Sequence, residues 1–361
     1  PLTGIPIAFL MLAATIGFVV GGGKALRALI FLPFVNNIYT PFITWLVGFI
    51  LEEGTLIYRI FVGEYGFLIK MIEWPIALIL PYVFLFYVAF SFLEDSGYLP
   101  RLGVLLDGAF RKIGLPGSNI IPFLMGYGCA IPAVLGTRAA GSQKERIIVV
   151  SMIAIAVPCT AQTGAFISLL GDQSIAALIT VYMISFLAII LTGVILKKTL
   201  KGYSRPLILE IPNLLMPDGK SLMKKIWIKI KHFLKDAQGP MFIGIILAAL
   251  LVETGALEQV GIWLEPLVTG WLGLPKEASL SLILGIIRRE LAVMPLIEMN
   301  LTTVQLITGS VVALFYLPCI STLFVLVKEF RLKIALAITG ATFFFAFFFG
   351  GLVNHFLGLF F

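Results

Sequence analysis

Apolar residues fill long, nearly unbroken stretches of this chain, and polar residues are confined to short segments between them. A helix of roughly 20 apolar residues crosses the ~30 Å hydrocarbon layer of a bilayer. Runs of this kind predict spans near 146–170, 174–196, 303–327 and 334–358. A further run, Pro6–Val20, is followed by no convincing cleavage region and is read as a retained helix with a long connection behind it. Two other apolar stretches, near 118–138 and 278–298, are cut by Gly or Pro. These are expected to be re-entrant hairpins, whose irregular backbone is tolerable only where protein or water covers it.

The pattern occurs twice. Glu94-Asp95-Ser96-Gly97 is answered by Val252-Glu253-Thr254-Gly255, and Gly114-Leu115-Pro116 by Gly273-Leu274-Pro275. Gly126-Tyr127-Gly128-Cys129 is answered by Gly285-Ile286-Ile287-Arg288, and Pro158-Cys159-Thr160-Ala161 by Pro318-Cys319-Ile320-Ser321. The offset stays near ~160 residues across all four pairs, which marks one unit used twice. The chain divides into an N-terminal helix and connection (1–74), a first repeat (75–196), a basic linker (197–236) and a second repeat (237–361).

Charge orients these parts. The sequence is 60% hydrophobic and 12% charged, with a net charge of +7; soluble domains are about 25% charged. In a soluble protein the excess would point to nucleic acid. Here it concentrates near 138–146, 197–236 and 328–333, which the positive-inside tendency places in the cytoplasm of a multi-pass cell-membrane protein. The amphipathic stretch of the first repeat carries Arg101, Arg111 and Lys112, whereas its counterpart carries Glu253, Glu258 and Glu265. The two copies therefore face opposite ways, and the expected fold class is an all-α polytopic membrane protein of two inverted-topology repeats, each with a re-entrant hairpin and an amphipathic helix. Met223–His232 reads as an interfacial basic helix within the linker.

Several chemistries drop out. Gly21-Gly22-Gly23-Lys24 lacks the spacing and the Ser/Thr of a phosphate loop and reads as a helix end with an interfacial lysine. His232 and His355 have no zinc-type spacing. No catalytic constellation is visible.

What remains is thiol chemistry at broken helices. Cys129, Cys159 and Cys319 are the chain's three cysteines, and each sits at a Gly or Pro break. Proline inside a helix frees the carbonyl about four residues earlier and kinks the chain. A thiolate beside loosened backbone suits a soft or borderline metal ion rather than magnesium or calcium, although a buried cysteine also packs as a small hydrophobe. Thr160, Gln162 and Ser321, beside the Pro-Cys pairs, are secondary candidates, as are the thioethers of Met125 and Met152, which also suit core filling. Arg288, Arg289 and Glu290 lie in the second hairpin, where a charge faces a cavity or a partner. Arg288 is expected to pair with Glu290 or with Glu94 and Asp95, as a staple or a gate. Glu94 and Asp95 stand where a carboxylate caps the following helix.

Leu93-Glu94-Asp95-Ser96-Gly97-Tyr98-Leu99-Pro100-Arg101, Arg111-Lys112-Ile113-Gly114-Leu115-Pro116-Gly117, Gly126-Tyr127-Gly128-Cys129-Ala130-Ile131-Pro132-Ala133 and Leu317-Pro318-Cys319-Ile320 resemble the transmembrane domain of the ferrous iron transporter B (FeoB) family. The resemblance implies two gate repeats, uptake of Fe²⁺ into the cytoplasm, and Cys129, Cys159 and Cys319 as metal contacts. It also implies a GTP-binding domain ahead of this region, expected here to have been removed, to be a separate chain or to be dispensable, and a small accessory protein or homo-oligomer as partners beside the lipid bilayer. The chain departs from the family pattern at Ala130, at Thr160-Ala161-Gln162 and at Glu290. Two other readings stand beside it: a transporter of a small, nucleoside-like solute, and a non-transporting membrane scaffold.

Overall fold

The computed structural model describes residues 4–49, 58, 61–62, 66–171, 174–202, 216–253, 261, 264–293, 295–296, 299 and 301–357. Among these there is no strand, and the chain is an all-α polytopic membrane protein. Five helical stretches are long and apolar enough to cross a bilayer: Pro6–Gly48, Phe67–Asp95, Gln143–Leu170, Ile175–Thr199 and Thr303–Phe356. The last has 54 residues, which at ~1.5 Å per residue is enough for two crossings.

Helix α1 (Gly4–Leu26) does not stop at its glycines. It runs on through π-helical turns at Arg27–Phe31 and Val35–Tyr39 into α2 (Thr40–Gly48), so the expected helix end at Lys24 and the start of the expected connection are both helix. The glycines serve packing instead. A Cβ on Gly23 would lie 2.3 Å from the Tyr82 ring, and one on Gly22 would lie 2.8 Å from Leu85. Both neighbours belong to α4 (Leu80–Asp95), which follows α3 (Phe67–Ile72) and a π-helical turn.

The amphipathic stretch of the first repeat forms α5 (Tyr98–Lys112). It begins at Gly97 in the left-handed region with no side-chain cap, so the capping expected of Glu94 and Asp95 is not made. It ends at Gly114, φ 89°, where the N–H of Leu115 bonds Phe110 O and that of Gly114 bonds Arg111 O. That pattern satisfies two of the helix-end carbonyls and needs a residue free to take positive φ. Gly273 holds the same place in the second repeat, φ 64°. Most of the second amphipathic stretch lies outside the described residues.

The first hairpin is α6 (Ile120–Gly128) followed by α7 (Ala130–Gly136). Its two ends meet at one carboxylate: Glu145 Oε2 accepts from Asn119 Nδ2 and from the Gly141 N–H, both at 3.2 Å. The chain thus returns to the level at which it came in. Glu145 also belongs to the first turn of α8 (Gln143–Ala156), where its N–H is capped by Ser142 Oγ. The second repeat repeats the device. Thr302 and Gln305 form a capping box on α13 (Thr303–Phe315), and Gln305 Nε2 donates to Gly273 O, just ahead of hairpin helix α12 (Ala278–Ile287).

Four more helices stand among the described residues. These are α9 (Thr160–Leu170), α10 (Ile175–Thr199), α11 (Gly219–Glu253) and α14 (Ile320–Leu357). Helix α14 is broken at Arg331, φ 66°, between the two spans expected near 303–327 and 334–358. Helix α11, capped by Asp218 through Ser221, runs unbroken from the basic segment into the second repeat. Bonding to the Ser221 hydroxyl first, and then to its backbone N–H, holds the Asp218 carboxyl below its usual range.

The basic segments gather at one end of the bundle. Arg138 and Arg146 both pair with Glu329, next to the α14 break, and the Arg146 guanidinium lies 4.8 Å from the centroid of Phe330. Lys144 Nζ donates to Lys197 O, and Lys197 Nζ donates to Arg111 O and Lys112 O. Lys225 and Lys229 of α11 pair with Asp95 and Glu94 at the end of α4. Gly273, Gln305 and the close of α14 meet elsewhere: Trp271 Nε1 donates to Phe347 O and Asn354 Nδ2 to Trp271 O. Glu329→Gln is expected to lower stability by about 1 kcal/mol, because an amide keeps a hydrogen bond but loses its charge-assisted partners. A thermal melt in detergent checks this; an unchanged midpoint would show the arginines to be held otherwise.

Candidate functional site

Four helix interruptions converge on one place, and sequence explains each. Between α6 and α7 a single residue, Cys129, is extended at φ −155° and ψ 135°. Gly126 and Gly128 precede it and Pro132 follows, so helix is weak on both sides. In the second hairpin Arg288 is extended in the same way, φ −150° and ψ 131°, between α12 and the 3-10 turn Arg289–Ala292. The two Pro-Cys segments, expected as kinks, are full breaks: α8 ends at Ala156 and α9 starts at Thr160, while α13 ends at Phe315 and α14 starts at Ile320. The ring of proline pushes the residue before it out of the helical region. Val157 accordingly sits at φ −90°, ψ 115°.

The breaks enclose a cavity of about 100 Å³. Cys129, Cys159 and Cys319 all line it, with Thr160, Ser321, Thr322, Arg288, Arg289 and Glu290. Ile79, Tyr82 and Val83, together with Phe233 of α11, close its apolar side. Cys319 Sγ lies 3.1 Å from Thr322 Oγ1. Among the described residues no three His, Cys, Asp or Glu side chains converge into a ready-made metal cage. The cavity therefore offers dispersed thiols and hydroxyls, a donor set for a borderline ion held loosely.

Two side chains brace the breaks across the repeats. Arg289 is 6% exposed and its guanidinium donates to Ala154 O in the first repeat and to Tyr316 O (3.1 Å) and Leu317 O (3.3 Å) in the second. Ala154 is the carbonyl that Pro158, four residues on, leaves without its helical partner. In the other direction Gln162 Nε2 donates to Ala313 O, in the last turn of α13, at 2.7 Å. Each repeat thus supplies the donor that the other's broken helix lacks. Such buried carbonyls would otherwise cost about 1–3 kcal/mol apiece.

The other expected site residues are placed as follows. Arg288 pairs with Glu290 and not with Glu94 or Asp95, which are occupied by Lys225 and Lys229. Thr160 Oγ1 donates to Tyr127 O, tying α9 to the hairpin tip. Met152 is fully buried in the core and Met125 packs beside it; neither lines the cavity. Four contributors escaped the sequence reading. Asp107 accepts from the Gly117 N–H at the start of the first hairpin, and Glu145, Gln305 and Glu329 hold the arrangement described above. Ser142-x-x-Glu145 and Thr302-x-x-Gln305 are capping-box spacings and were the available signal for two of them.

Comparison with known proteins places the chain among membrane-transport sequences. The family model Gate, described as nucleoside recognition, matches residues 76–173 and again 234–333. The model for the ferrous iron transport protein B C terminus matches residues 178–229 between them. The chain is similar to the Fe(2+) transporter FeoB of Escherichia coli (strain K12) and to that of Salmonella typhimurium (strain LT2). Each is 32% identical over 164 residues, 44% of this chain and 21% of the relative. The chain thus matches about a fifth of the length of these relatives.

Proposed function

The chain belongs to the gate-domain family, whose model matches more than half of it, and on that premise we propose that it moves ferrous iron across the cell membrane into the cytoplasm. The observation that carries this reading is the cavity that all three cysteines line, where four helices break. Thiols favour borderline and soft ions. Hydroxyls of Thr160 and Ser321 add hard donors, a mixture suited to Fe²⁺.

The two repeats are read as an inverted pair. In support, α8 starts beside Glu329 while the first limb of α14 ends there, so the two broken helices run in opposite senses. The face where Arg138, Arg146, Lys144 and Lys197 gather is read as cytoplasmic. A GTP-binding domain, a small accessory protein and a second copy are carried over from the family resemblance alone and remain part of the proposal.

The name of the matched family model keeps a nucleoside-like solute in view. A cavity of about 100 Å³ falls well below the ~300 Å³ at which small-molecule pockets begin. Reconstituted protein should take up ⁵⁵Fe²⁺ saturably, and Cys129→Ala should reduce the rate about tenfold, as loss of one metal contact among several does. Equal saturable uptake by the variant would remove the thiol from the path, and uridine uptake without Fe²⁺ uptake would favour the solute reading.

A further inference from the structure

The two hairpin tips differ in one respect. The repeat places Arg288 where the first copy has Cys129, with nearly the same extended backbone, and both side chains face the cavity. One tip therefore presents a ligand for a cation and the other presents a cation. Arg288 contacts Glu290 two residues away, and both are buried, their side chains 10% and 5% exposed.

This pair is incompletely bonded. Beyond their mutual contact, Arg288 Nη1 and Glu290 Oε1 have no hydrogen-bond partner among the described residues. The contrast with Arg289 is direct, since that guanidinium is spread over three carbonyls from both repeats. Half-satisfied buried pairs are poor staples, because desolvation is not recovered. They are, however, easily exchanged.

We propose that Arg288 is a tethered competitor for the transported ion, and that Glu290 changes hands between them. In the empty cavity the guanidinium holds the carboxylate. An arriving divalent ion takes the carboxylate and displaces the guanidinium, and its return expels the ion. The proposal deepens the iron-transport reading and rests on it. Charge requires some such movement: a divalent ion entering beside two fixed arginines and one carboxylate meets a net positive wall in a medium of low dielectric. Arg289 cannot leave without abandoning Ala154, Tyr316 and Leu317. Among the described residues Arg288 would give up only its contact with Glu290. A carboxylate among thiols also narrows the choice of ion, since it strengthens borderline divalent ions relative to monovalent copper.

The test is anaerobic Fe²⁺ titration of the full chain in nanodiscs, paired with uptake in proteoliposomes. Arg288→Gln should bind Fe²⁺ about tenfold more tightly and turn over more slowly at saturating Fe²⁺. Glu290→Gln should bind about tenfold more weakly, with Glu290→Asp between it and wild type. Unchanged or weaker binding by Arg288→Gln overturns the proposal, as does wild-type binding by both Glu290 variants. If Glu290→Gln fails to give monodisperse protein, the Arg288→Gln arm decides alone. Cys129→Ala in the same titration separates the two levels. Wild-type affinity there sinks the thiol site itself, whereas lost affinity there with no gain in Arg288→Gln sinks only the exchange.

Discussion

Arg289→Ala is expected to destabilise the protein by about 3–5 kcal/mol, the cost typical of removing one member of a buried charged network, and to leave almost no Fe²⁺ uptake. The reason is positional. One guanidinium bonds Ala154 O at the end of α8 and Tyr316 O and Leu317 O beyond α13, so its loss strands three carbonyls from two repeats. Both Pro-Cys breaks then lose their support, and Cys159 and Cys319 move with them. Arg289→Lys should recover less than half of the loss, because an ammonium is a point charge without the planar fork that reaches three acceptors. Thermal unfolding can be followed with a thiol-reactive dye, since all three cysteines line the internal cavity. A wild-type melting curve for Arg289→Ala would mean that the breaks are held by something other than this side chain.

Gly117→Val should be nearly as severe, about 4 kcal/mol or more, in the range reserved for clashes the structure cannot relax. A Cβ on Gly117 would lie 2.0 Å from Gly103 O and 3.1 Å from the Cα of Asp107. Both obstacles are backbone of α5, so no side chain can swing aside. The same contact lets Asp107 Oδ1 accept from the Gly117 N–H at 2.8 Å, which fixes where the first hairpin departs from its amphipathic helix. Moving that point moves Cys129. The expected result is loss of monodisperse protein on size exclusion, with Gly108→Val as a neighbouring control, since a Cβ there meets nothing within 4 Å. Equal behaviour of the two variants would show that α5 and the hairpin can separate without harm.

Much of this architecture was legible because its signals are local. Gly-Leu-Pro reports a helix end and a left-handed glycine, and Gly114 and Gly273 both take positive φ. Gly-x-Gly-Cys and Pro-Cys report backbone that cannot stay helical, and all four interruptions border the cavity. What escaped was pairing at long range. Nothing near Glu94 and Asp95 announces Lys225 and Lys229, 130 to 135 residues away. A carboxylate before a helix start reads locally as a cap. The Gly21–Gly23 run misled for a related reason: glycine is punctuation in a sequence, but here it makes room for Tyr82 and Leu85 inside a helix that continues. Proline was read as a kink because its ring blocks one bond, whereas its push on the preceding residue was enough to unwind the whole segment.

The exchange of donors between the repeats bears on how the protein is made. Helices inserted one after another from the ribosome normally arrive with their own backbone satisfied. Here the first repeat is complete in sequence by Thr199, yet the carbonyl of Ala154 waits for an arginine 135 residues further along the chain. Gln162 waits longer still, 151 residues, for Ala313. During synthesis the first repeat must therefore remain in the translocon or keep water at its broken helix until the second repeat arrives. The duplication that supplied two symmetric halves has become a dependency in time, and neither half is expected to mature alone.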